Sequence, residues 1–176
     1  MAQGTALLVI DVQVGMYRES NPVARGEELL LTLRSLIARA REASVPVIYV
    51  QHTGSKGGFL EEGTAGWQVH SGIAPLAGDL IIHKKTPCAF NGTDLKAELD
   101  ARGITDLVIS GIQSEMCVDT TCRSAYNMGY KSVLVEDGHS TFNTPDLSAE
   151  TITRHHNRVL GRWFARVKKA AEVSFQ

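Results

Sequence analysis

The sequence predicts a doubly wound α/β domain, in which helices cover both faces of a mostly parallel sheet. Short apolar runs rich in Val, Ile and Leu alternate along the chain with longer segments of helical periodicity. This alternation is typical of consecutive βαβ units. Several runs are apolar at every position, as expected of strands that are buried on both faces. The 176 residues suit one domain, residues 1–176, with no repeat, linker or low-complexity segment.

Six apolar runs are predicted to be the strands. From the N-terminus they cover residues 6–10, 45–50, 79–82, 107–110, 132–135 and 164–167, of which the last is the weakest. In an open α/β sheet, ligands bind outside the carboxyl ends of the strands, near the point where the strand order reverses. Residues that directly follow these runs are therefore the first candidates for chemistry.

The segments between the runs carry helix signals. Residues 27–42 have an apolar stripe at spacings of three and four, formed by Leu29, Leu30, Leu33, Leu36, Ile37 and Ala40. Residues 93–102 and 114–128 are each followed by glycine, which commonly ends a helix. A fourth helix is predicted to open at Thr144 and Pro145, because proline suits the first helical position.

The longest irregular stretch covers residues 52–78 and is rich in glycine. Loops of this length inside a compact domain are usually functional or mobile. This one follows the carboxyl end of a predicted strand, so it is placed to form a wall or lid of a substrate pocket. The alternative is a solvated loop without a role in the chemistry.

Composition and charge exclude several classes of function. The formal net charge of −1 gives no electrostatic reason to expect nucleic acid or an anionic membrane as partner. No segment approaches the roughly 20 apolar residues of a membrane helix, and residues 1–4 lack the basic region of a signal peptide. Cys88, Cys117 and Cys122 are a sparse, odd set that suits cytosolic thiols. We expect a cytoplasmic protein that acts on a small molecule.

Two charged residues follow predicted strands. Asp11 comes directly after the run 6–10, where partial burial would raise its pKa and suit it to act as a general base. A turn or capping aspartate is the alternative. Lys84 follows the third run, although Lys85 could equally face inward because successive side chains alternate along a strand. A solvated pair of surface lysines is the alternative there.

Cys117 is the strongest single candidate. The chain before it reads as a strand, a turn containing Gly111, and a helix start. With Ser114 as N-cap, Cys117 would lie in the first helical turn, where free backbone amides and the helix dipole favour a thiolate and can hold an oxyanion. We interpret Cys88 and Cys122 as structural thiols. Together, a base, a cation and a thiol at three strand ends are what a nucleophilic site requires.

Three sequence motifs identify a family resemblance. The segment ALLVIDVQ begins at Ala6, KKTPCAFNGTDL begins at Lys84 and GIQSEMCVDTT begins at Gly111. In this order and spacing they resemble the isochorismatase-like cysteine hydrolase family over nearly the whole chain. The family's catalytic lysine stands four residues before a small residue followed by Ala and Phe, which selects Lys84 over Lys85. Cys88 occupies the position where Ser is more usual.

The resemblance implies several properties of the fold and the site. It implies a six-stranded sheet of order 3-2-1-4-5-6, assembly as a homodimer or homotetramer, and a catalytic triad of Asp11, Lys84 and Cys117. It also implies a cis peptide bond between Ile112 and Gln113. That bond would aim the Gln113 amide, beside the Cys117 amide, at the developing oxyanion.

Two features point to the metal-free amidases of the family, which are streptothricin hydrolase-like or N-carbamoylsarcosine amidase-like. Cleavage of the vinyl ether of isochorismate needs no nucleophile, so Cys117 favours an amide, ureido or lactam substrate. Family nicotinamidases hold a metal with an Asp-x-His pair, and no Asp stands two residues before His52. His52 and His70 alone would make a weak metal site, so we expect neither metal nor cofactor. A vinyl-ether hydrolase, a nicotinamidase and a non-enzymatic binding protein remain alternatives.

Further side chains are candidates by position alone. For substrate contacts they are Gln13, Tyr17, Trp67, Phe90 and Glu115. Each could instead belong to the core or the surface; Trp67, in the long loop, is favoured as a pocket wall. His139 follows the fifth run and is interpreted as part of a turn at the rim of the site rather than as a catalytic base.

Overall fold

Six parallel strands form a single sheet in the order β3-β2-β1-β4-β5-β6 within residues 4–175, the part of the chain that the computed structural model describes. The strands are β1 (Thr5–Ile10), β2 (Val47–His52), β3 (Leu80–Lys84), β4 (Asp106–Ile112), β5 (Lys131–Ser140) and β6 (Arg166–Lys168). The predicted fold class and strand order are confirmed. The expectation that residues 1–4 carry no signal peptide concerns positions mostly outside the described part, since residues 1–3 are not described.

Four α-helices connect these strands in the described residues: α1 (Gly26–Glu42), α2 (Leu95–Ala101), α3 (Asp119–Asn127) and α4 (Ala149–Gly161). One turn of π-helix at Ser114–Val118 leads into α3. Short 3₁₀ turns lie at Val14–Tyr17, Ala65–Trp67, Ser71–Ile73 and Ala170–Glu172. None of the helices within residues 4–175 is long and apolar enough to cross a membrane.

The central strand β1 separates two hydrophobic clusters. Leu7 and Val9 lie in one cluster, with the buried leucines of α1. Ala6, Leu8 and Ile10 lie in the other, which also contains the buried side chains of α2 and α3. Because successive side chains of a strand point to opposite faces, one continuously apolar strand supplies both clusters. Helices therefore cover both faces of the sheet, as predicted.

The order of the strands places β1 at the point where the sheet topology reverses. β1 pairs with β2 through Ile10 and Val50, and with β4 through Ile10 and Gly111. Gly111 has φ +124°, and a Cβ atom there would lie 2.1 Å from the Ile10 carbonyl oxygen. Only glycine permits this close approach. The carboxyl ends of β1 and β4 are thereby brought together.

The fourth helix begins later than predicted. α4 starts at Ala149, and the Ser148 hydroxyl accepts a hydrogen bond from the Thr151 amide at 3.1 Å as its N-cap. Thr144 instead closes a turn, since its hydroxyl accepts from the Leu147 amide at 3.0 Å. Proline at 145 suits this turn as well as it suits a helix start, and the stronger cap at Ser148 decides the boundary.

Strand β5 is longer than the predicted run 132–135 because it contains a bulge. Ile109 pairs with Leu134, but Gly111 pairs with His139, so two positions along β4 correspond to five along β5. The residues in the bulge are Glu136, Asp137 and Gly138. These residue types are typical of turns, which is why the sequence suggested that the strand had ended.

Candidate active site

Asp11, Lys84 and Cys117 come together at the carboxyl edge of the sheet. Asp11 directly follows β1, where its amide donates to the Val50 carbonyl at 2.8 Å. Lys84 is the last residue of β3, and Cys117 lies in the π-helical turn after β4. Lys84 Nζ donates to Asp11 Oδ2 at 2.6 Å and to Cys117 Sγ at 3.3 Å. Lys85, the other lysine considered, is exposed.

The charged pair is removed from solvent. The side chains of Lys84 and Asp11 are both 0% exposed. Burial raises the pKa of Asp11 above its ordinary value of 3.8, and the positive charge of Lys84 opposes this shift. A buried ion pair recovers its desolvation cost only with close contacts, and the 2.6 Å separation provides one.

The two oxygens of the Asp11 carboxylate differ in their contacts. Oδ2 accepts from Lys84, whereas Oδ1 is buried and has no partner at normal hydrogen-bond geometry within residues 4–175. The neighbouring Cys117 thiol lowers the pKa of Asp11 as a hydrogen-bond donor. Among residues 4–175, Oδ1 therefore keeps its lone pairs free of the Lys84 ammonium, which contacts Oδ2.

The Cys117 thiol is protonated near neutral pH. Cys117 is 9% exposed, and burial, reinforced by the negative charge of Asp11, raises its pKa from 9.0 to about 12. The helix start was expected to favour the thiolate; burial and the nearby carboxylate outweigh that effect. Nucleophilic attack from this position requires a base that removes the proton during the reaction.

His52 is a further neighbour of the cation. Its Nδ1 lies 3.3 Å from Lys84 Nζ. Burial lowers the pKa of His52, and the charge of Lys84 lowers it further. From the sequence, His52 was considered only as a weak metal ligand. The useful signal was its position at the end of β2, since His52 pairs with Lys84 across the sheet.

The turn that carries Cys117 is held by its own backbone. The Gln113 carbonyl accepts from the Met116 amide at 3.2 Å and from the Val118 amide at 3.1 Å. The peptide bond between Ile112 and Gln113 is cis. The sequence suggested that Ser114 caps the helix, which is wrong. Gln113 occupies the cap position, and the Ser114 hydroxyl bonds to His139 Nδ1.

His139 contacts the turn that carries Cys117. It lies within β5 and is 4% exposed, so the expected rim turn is wrong. Its Nδ1 lies 2.7 Å from Ser114 Oγ, and its Nε2 lies 2.9 Å from Asn157 Oδ1. Because the Asn157 amide nitrogen donates to the Glu136 carbonyl, His139 Nε2–H donates to Asn157 and Nδ1 accepts from Ser114. Burial lowers the pKa of His139 to about 4, which keeps the ring neutral.

Gln13, a candidate for substrate contact, is engaged by the protein itself. It is 0% exposed. Its Oε1 accepts from the His52 amide at 2.9 Å, and its Nε2 donates to the carbonyls of His52 at 3.0 Å and Trp67 at 2.7 Å. Both N–H groups are used, so Gln13 fixes the main chain of His52 and Trp67 instead of presenting a donor to substrate.

Phe90 and Trp67 have different surroundings. Phe90 is 8% exposed and belongs to the hydrophobic cluster beside α2, where its ring stacks on Tyr130 at 5.7 Å. It is a core residue. Trp67 is half-buried; its indole N–H donates to Thr53 Oγ1 at 3.1 Å, and its ring stacks on His83. The long loop is thus anchored through Trp67.

Tyr17 and Glu115 keep polar atoms that the described residues do not satisfy. The Tyr17 hydroxyl and Glu115 Oε2 are buried and lack hydrogen-bond partners within residues 4–175. Glu115 Oε1 accepts from Thr141 Oγ1 at 2.7 Å, and the Tyr17 ring packs against His70 at 4.5 Å. Both remain candidates for substrate contact.

The histidines considered as metal ligands are occupied in other ways. His52 Nδ1 faces the Lys84 ammonium, and His70 Nδ1 accepts from the Gly72 amide at 3.1 Å. Across residues 4–175, no three His, Cys, Asp or Glu side chains cluster so that they could hold a metal ion.

A doubly wound α/β sheet with a buried Asp–Lys–Cys cluster at its switch point defines a class of hydrolase fold. Residues 5–161 match the isochorismatase domain. The chain therefore belongs to the isochorismatase family of hydrolases.

Known members of the family are similar over most of the chain. Streptothricin hydrolase from Streptomyces noursei is 36% identical over 177 residues, which cover 97% of this chain but 64% of that protein. The chain thus spans less than two thirds of that relative's length.

Two solved structures have the same fold. An isochorismatase from Pseudomonas putida KT2440 superposes with a TM-score of 0.92 at 30% identity, covering 98% of this chain and 91% of that chain. N-carbamoylsarcosine amidase from Thermoplasma acidophilum superposes with a TM-score of 0.78 at 27% identity, covering 97% and 98%. These similarities reach the strands and turns that carry the candidate site.

Proposed function

We propose that this protein is a cysteine hydrolase that cleaves a C–N bond of a small amide, ureido or lactam substrate through a thioester. The observation that carries the proposal is the position of the Lys84 ammonium, which lies 2.6 Å from Asp11 Oδ2 and 3.3 Å from Cys117 Sγ. A thiol, a base and a cation in mutual contact satisfy the geometry of nucleophilic catalysis.

In the first step, Asp11 Oδ1 takes the proton of the Cys117 thiol as the sulfur attacks the substrate carbonyl. A base is required because the pKa of Cys117 is raised to about 12. The Lys84 ammonium offsets the negative charge on the sulfur and on the carboxylate. The backbone amides of Gln113 and Cys117 are assigned to the oxyanion of the tetrahedral intermediate.

In the second step, the protonated Asp11 gives its proton to the leaving nitrogen, and the C–N bond breaks to leave a thioester on Cys117. Water then enters, Asp11 takes one of its protons, and the hydroxide attacks the thioester carbonyl. Collapse of the second tetrahedral intermediate releases the carboxylic acid, and Asp11 returns its proton to the departing sulfur, which restores the thiol. Asp11 is suited to both directions of transfer because burial raises its pKa.

The named relatives support C–N chemistry. Streptothricin hydrolase and N-carbamoylsarcosine amidase are both named for hydrolytic reactions, the latter on an amide-type bond. A vinyl-ether hydrolase, one of the two alternatives within the family, would not need a buried thiol beside a base. We also propose that the protein is cytoplasmic, that it needs no metal, and that it assembles as a homodimer or homotetramer.

The test is a hydrolysis screen, with and without chelator, that detects ammonia released from primary amides and ureas and the new amine of ring-opened lactams. We expect hydrolysis that chelator does not affect, loss of activity in Cys117→Ala, and an acylated Cys117 peptide in mixtures quenched early. Cys88→Ser is the matched control, since Cys88 is half-buried and contacts Ser124 rather than Asp11. Full activity in Cys117→Ala would refute the thioester route.

A further inference from the structure

Lys84 has three N–H bonds and three acceptors around it. Asp11 Oδ2 lies at 2.6 Å, Cys117 Sγ at 3.3 Å and His52 Nδ1 at 3.3 Å. An ammonium group can donate but not accept. The His52 contact therefore fixes the tautomer of the ring: Nδ1 carries the lone pair and the proton is on Nε2.

We propose that His52 is a positioning residue, which holds the Lys84 ammonium between Asp11 and Cys117. The proposal rests on the proposed function, because it concerns the same nucleophile. The lysine ammonium stands on a flexible four-carbon stem, and two acceptors alone leave it free to turn toward the carboxylate. With His52 as the third acceptor, each of the three N–H bonds of Nζ has a partner.

The backbone around His52 is fixed on both sides. Gln13 accepts from the His52 amide at 2.9 Å and donates to its carbonyl at 3.0 Å. Thr53 donates to the Lys84 carbonyl at 2.8 Å, and His52 and Lys84 are paired across β2 and β3. Because these hydrogen bonds fix the main chain of His52, its ring has little freedom to move. The position of the ring therefore determines where the Lys84 ammonium lies.

A charged imidazole would work against this arrangement. Protonated His52 would have no lone pair for Lys84 and would place a second positive charge 3.3 Å from Nζ. The groups that face the ring are Lys84 and Asp11, and burial together with Lys84 lowers the pKa of His52. The neutral form is thus the one the site maintains near neutral pH.

The experiment compares His52→Leu, which removes the acceptor, with His52→Asn, whose amide oxygen reaches the position of Nδ1. Each is made in the Cys88→Ser background, and the rate of Cys117 alkylation by iodoacetamide is measured at pH 8 by peptide mass spectrometry. We expect His52→Leu to slow alkylation about tenfold, corresponding to one unit in the pKa of Cys117. We expect His52→Asn to stay within about threefold of the parent, since the acceptor is retained.

His70→Leu is the matched control, because His70 is also half-buried but contacts Tyr17 and Gly72 rather than Lys84. It should leave the alkylation rate unchanged. If His52→Leu does not fold, His52→Phe replaces it, since it keeps a ring but no acceptor and should slow alkylation similarly. On a hydrolysed substrate, the His52→Leu defect should fall on kcat with KM unchanged.

Equal alkylation rates in His52→Leu and the parent would overturn the proposal, as would equal losses in His52→Asn and His52→Leu. Alkylation needs no substrate, so the two proposals fail separately. Absence of any hydrolysed amide with a normal His52 dependence of alkylation refutes the amidase function alone. Hydrolysis that requires Cys117 but not His52 refutes the positioning role alone.

Discussion

Lys84 Nζ and Asp11 Oδ2 form a 2.6 Å ion pair in which neither side chain is exposed to solvent. Breaking such a pair leaves one buried charge without compensation. We expect Lys84→Met to lower the free energy of unfolding by about 3–5 kcal/mol, measured by urea denaturation. Asp11→Leu should cost a similar amount. The double variant should be more stable than either single one, because no charge then remains buried.

The control for this prediction is Lys96→Gln. Lys96 and Asp100 also form an ion pair, but their side chains are 52% and 56% exposed, and exposed pairs contribute little. No measurable loss of stability is expected. A double variant that is less stable than both single variants would contradict the account of the buried pair.

Asp11→Asn should separate the reactivity of Cys117 from catalysis. The negative charge of Asp11 contributes to the raised pKa of Cys117, so its removal should speed alkylation by iodoacetamide about tenfold, equivalent to one pKa unit. Hydrolysis should nevertheless fall by about 100- to 10,000-fold, the range for loss of a general base. Both rates are measured on the same preparation at pH 8.

In the parent protein, alkylation should rise about tenfold per pH unit between pH 7 and 10, because the thiolate fraction rises that way below the pKa. A plateau below pH 8 would show a thiolate that is already formed at rest. Asp11→Asn with slower alkylation than the parent would mean that the carboxylate activates the resting thiol.

Gln13→Leu should loosen the long loop. The substitution leaves the His52 amide and carbonyl and the Trp67 carbonyl without the side chain that they contact. Each buried group that loses its partner costs about 1–3 kcal/mol, although Trp67 keeps a bond from Gln51 at 2.6 Å. We expect faster amide exchange across residues 52–78 by mass spectrometry. Gln68→Leu, at an exposed position, should not change it.

His139 should make the free energy of unfolding depend on pH. Its pKa in the folded protein is about 4, against 6.5 for the free side chain. The neutral ring therefore contributes full stability above pH 6.5, and that contribution is lost as the pH falls toward 4. The difference corresponds to about 3 kcal/mol. Chemical denaturation at pH 7 and pH 4.5 should show a smaller loss in His139→Asn than in the parent.

His155→Asn is the control for the acid effect, because His155 is exposed on α4. Between pH 7 and pH 4.5, His155→Asn and the parent should lose the same free energy of unfolding. The other ionisable groups are the same in both proteins, so the comparison isolates His139. Identical pH dependence in His139→Asn and the parent would contradict the buried, neutral ring.

The sequence was sufficient for the fold class and for the three residues that meet at the site. Continuous apolar runs define buried parallel strands; Asp11 stands directly beyond one of them, and Lys84 follows another by two positions. The choice of Lys84 over Lys85 came from the family motif, because alternation alone leaves either residue facing inward. Strand order likewise came from resemblance, since the same periodicity fits several orders.

What the sequence did not supply depends on contacts between distant segments. The protonated state of Cys117 follows from burial, which the helix position alone does not predict. Gln13 is engaged by Trp67, 54 positions later, and no local pattern indicates that partner. His139 follows a bulge whose residues are typical of a turn, so the sequence did not predict that it lies within β5.

The close approach of Gly111 to Ile10 limits how this candidate site can be redesigned. A library that varies the residues around Cys117 must keep position 111 fixed, because any side chain there would collide with the backbone of β1. Glu115, by contrast, is half-buried and holds its neighbour Thr141 through the side chain alone, so we expect a substitution there to leave the strands in place. Selection for new substrates should therefore accumulate substitutions at 115 and in the loop around Trp67, and none at 111.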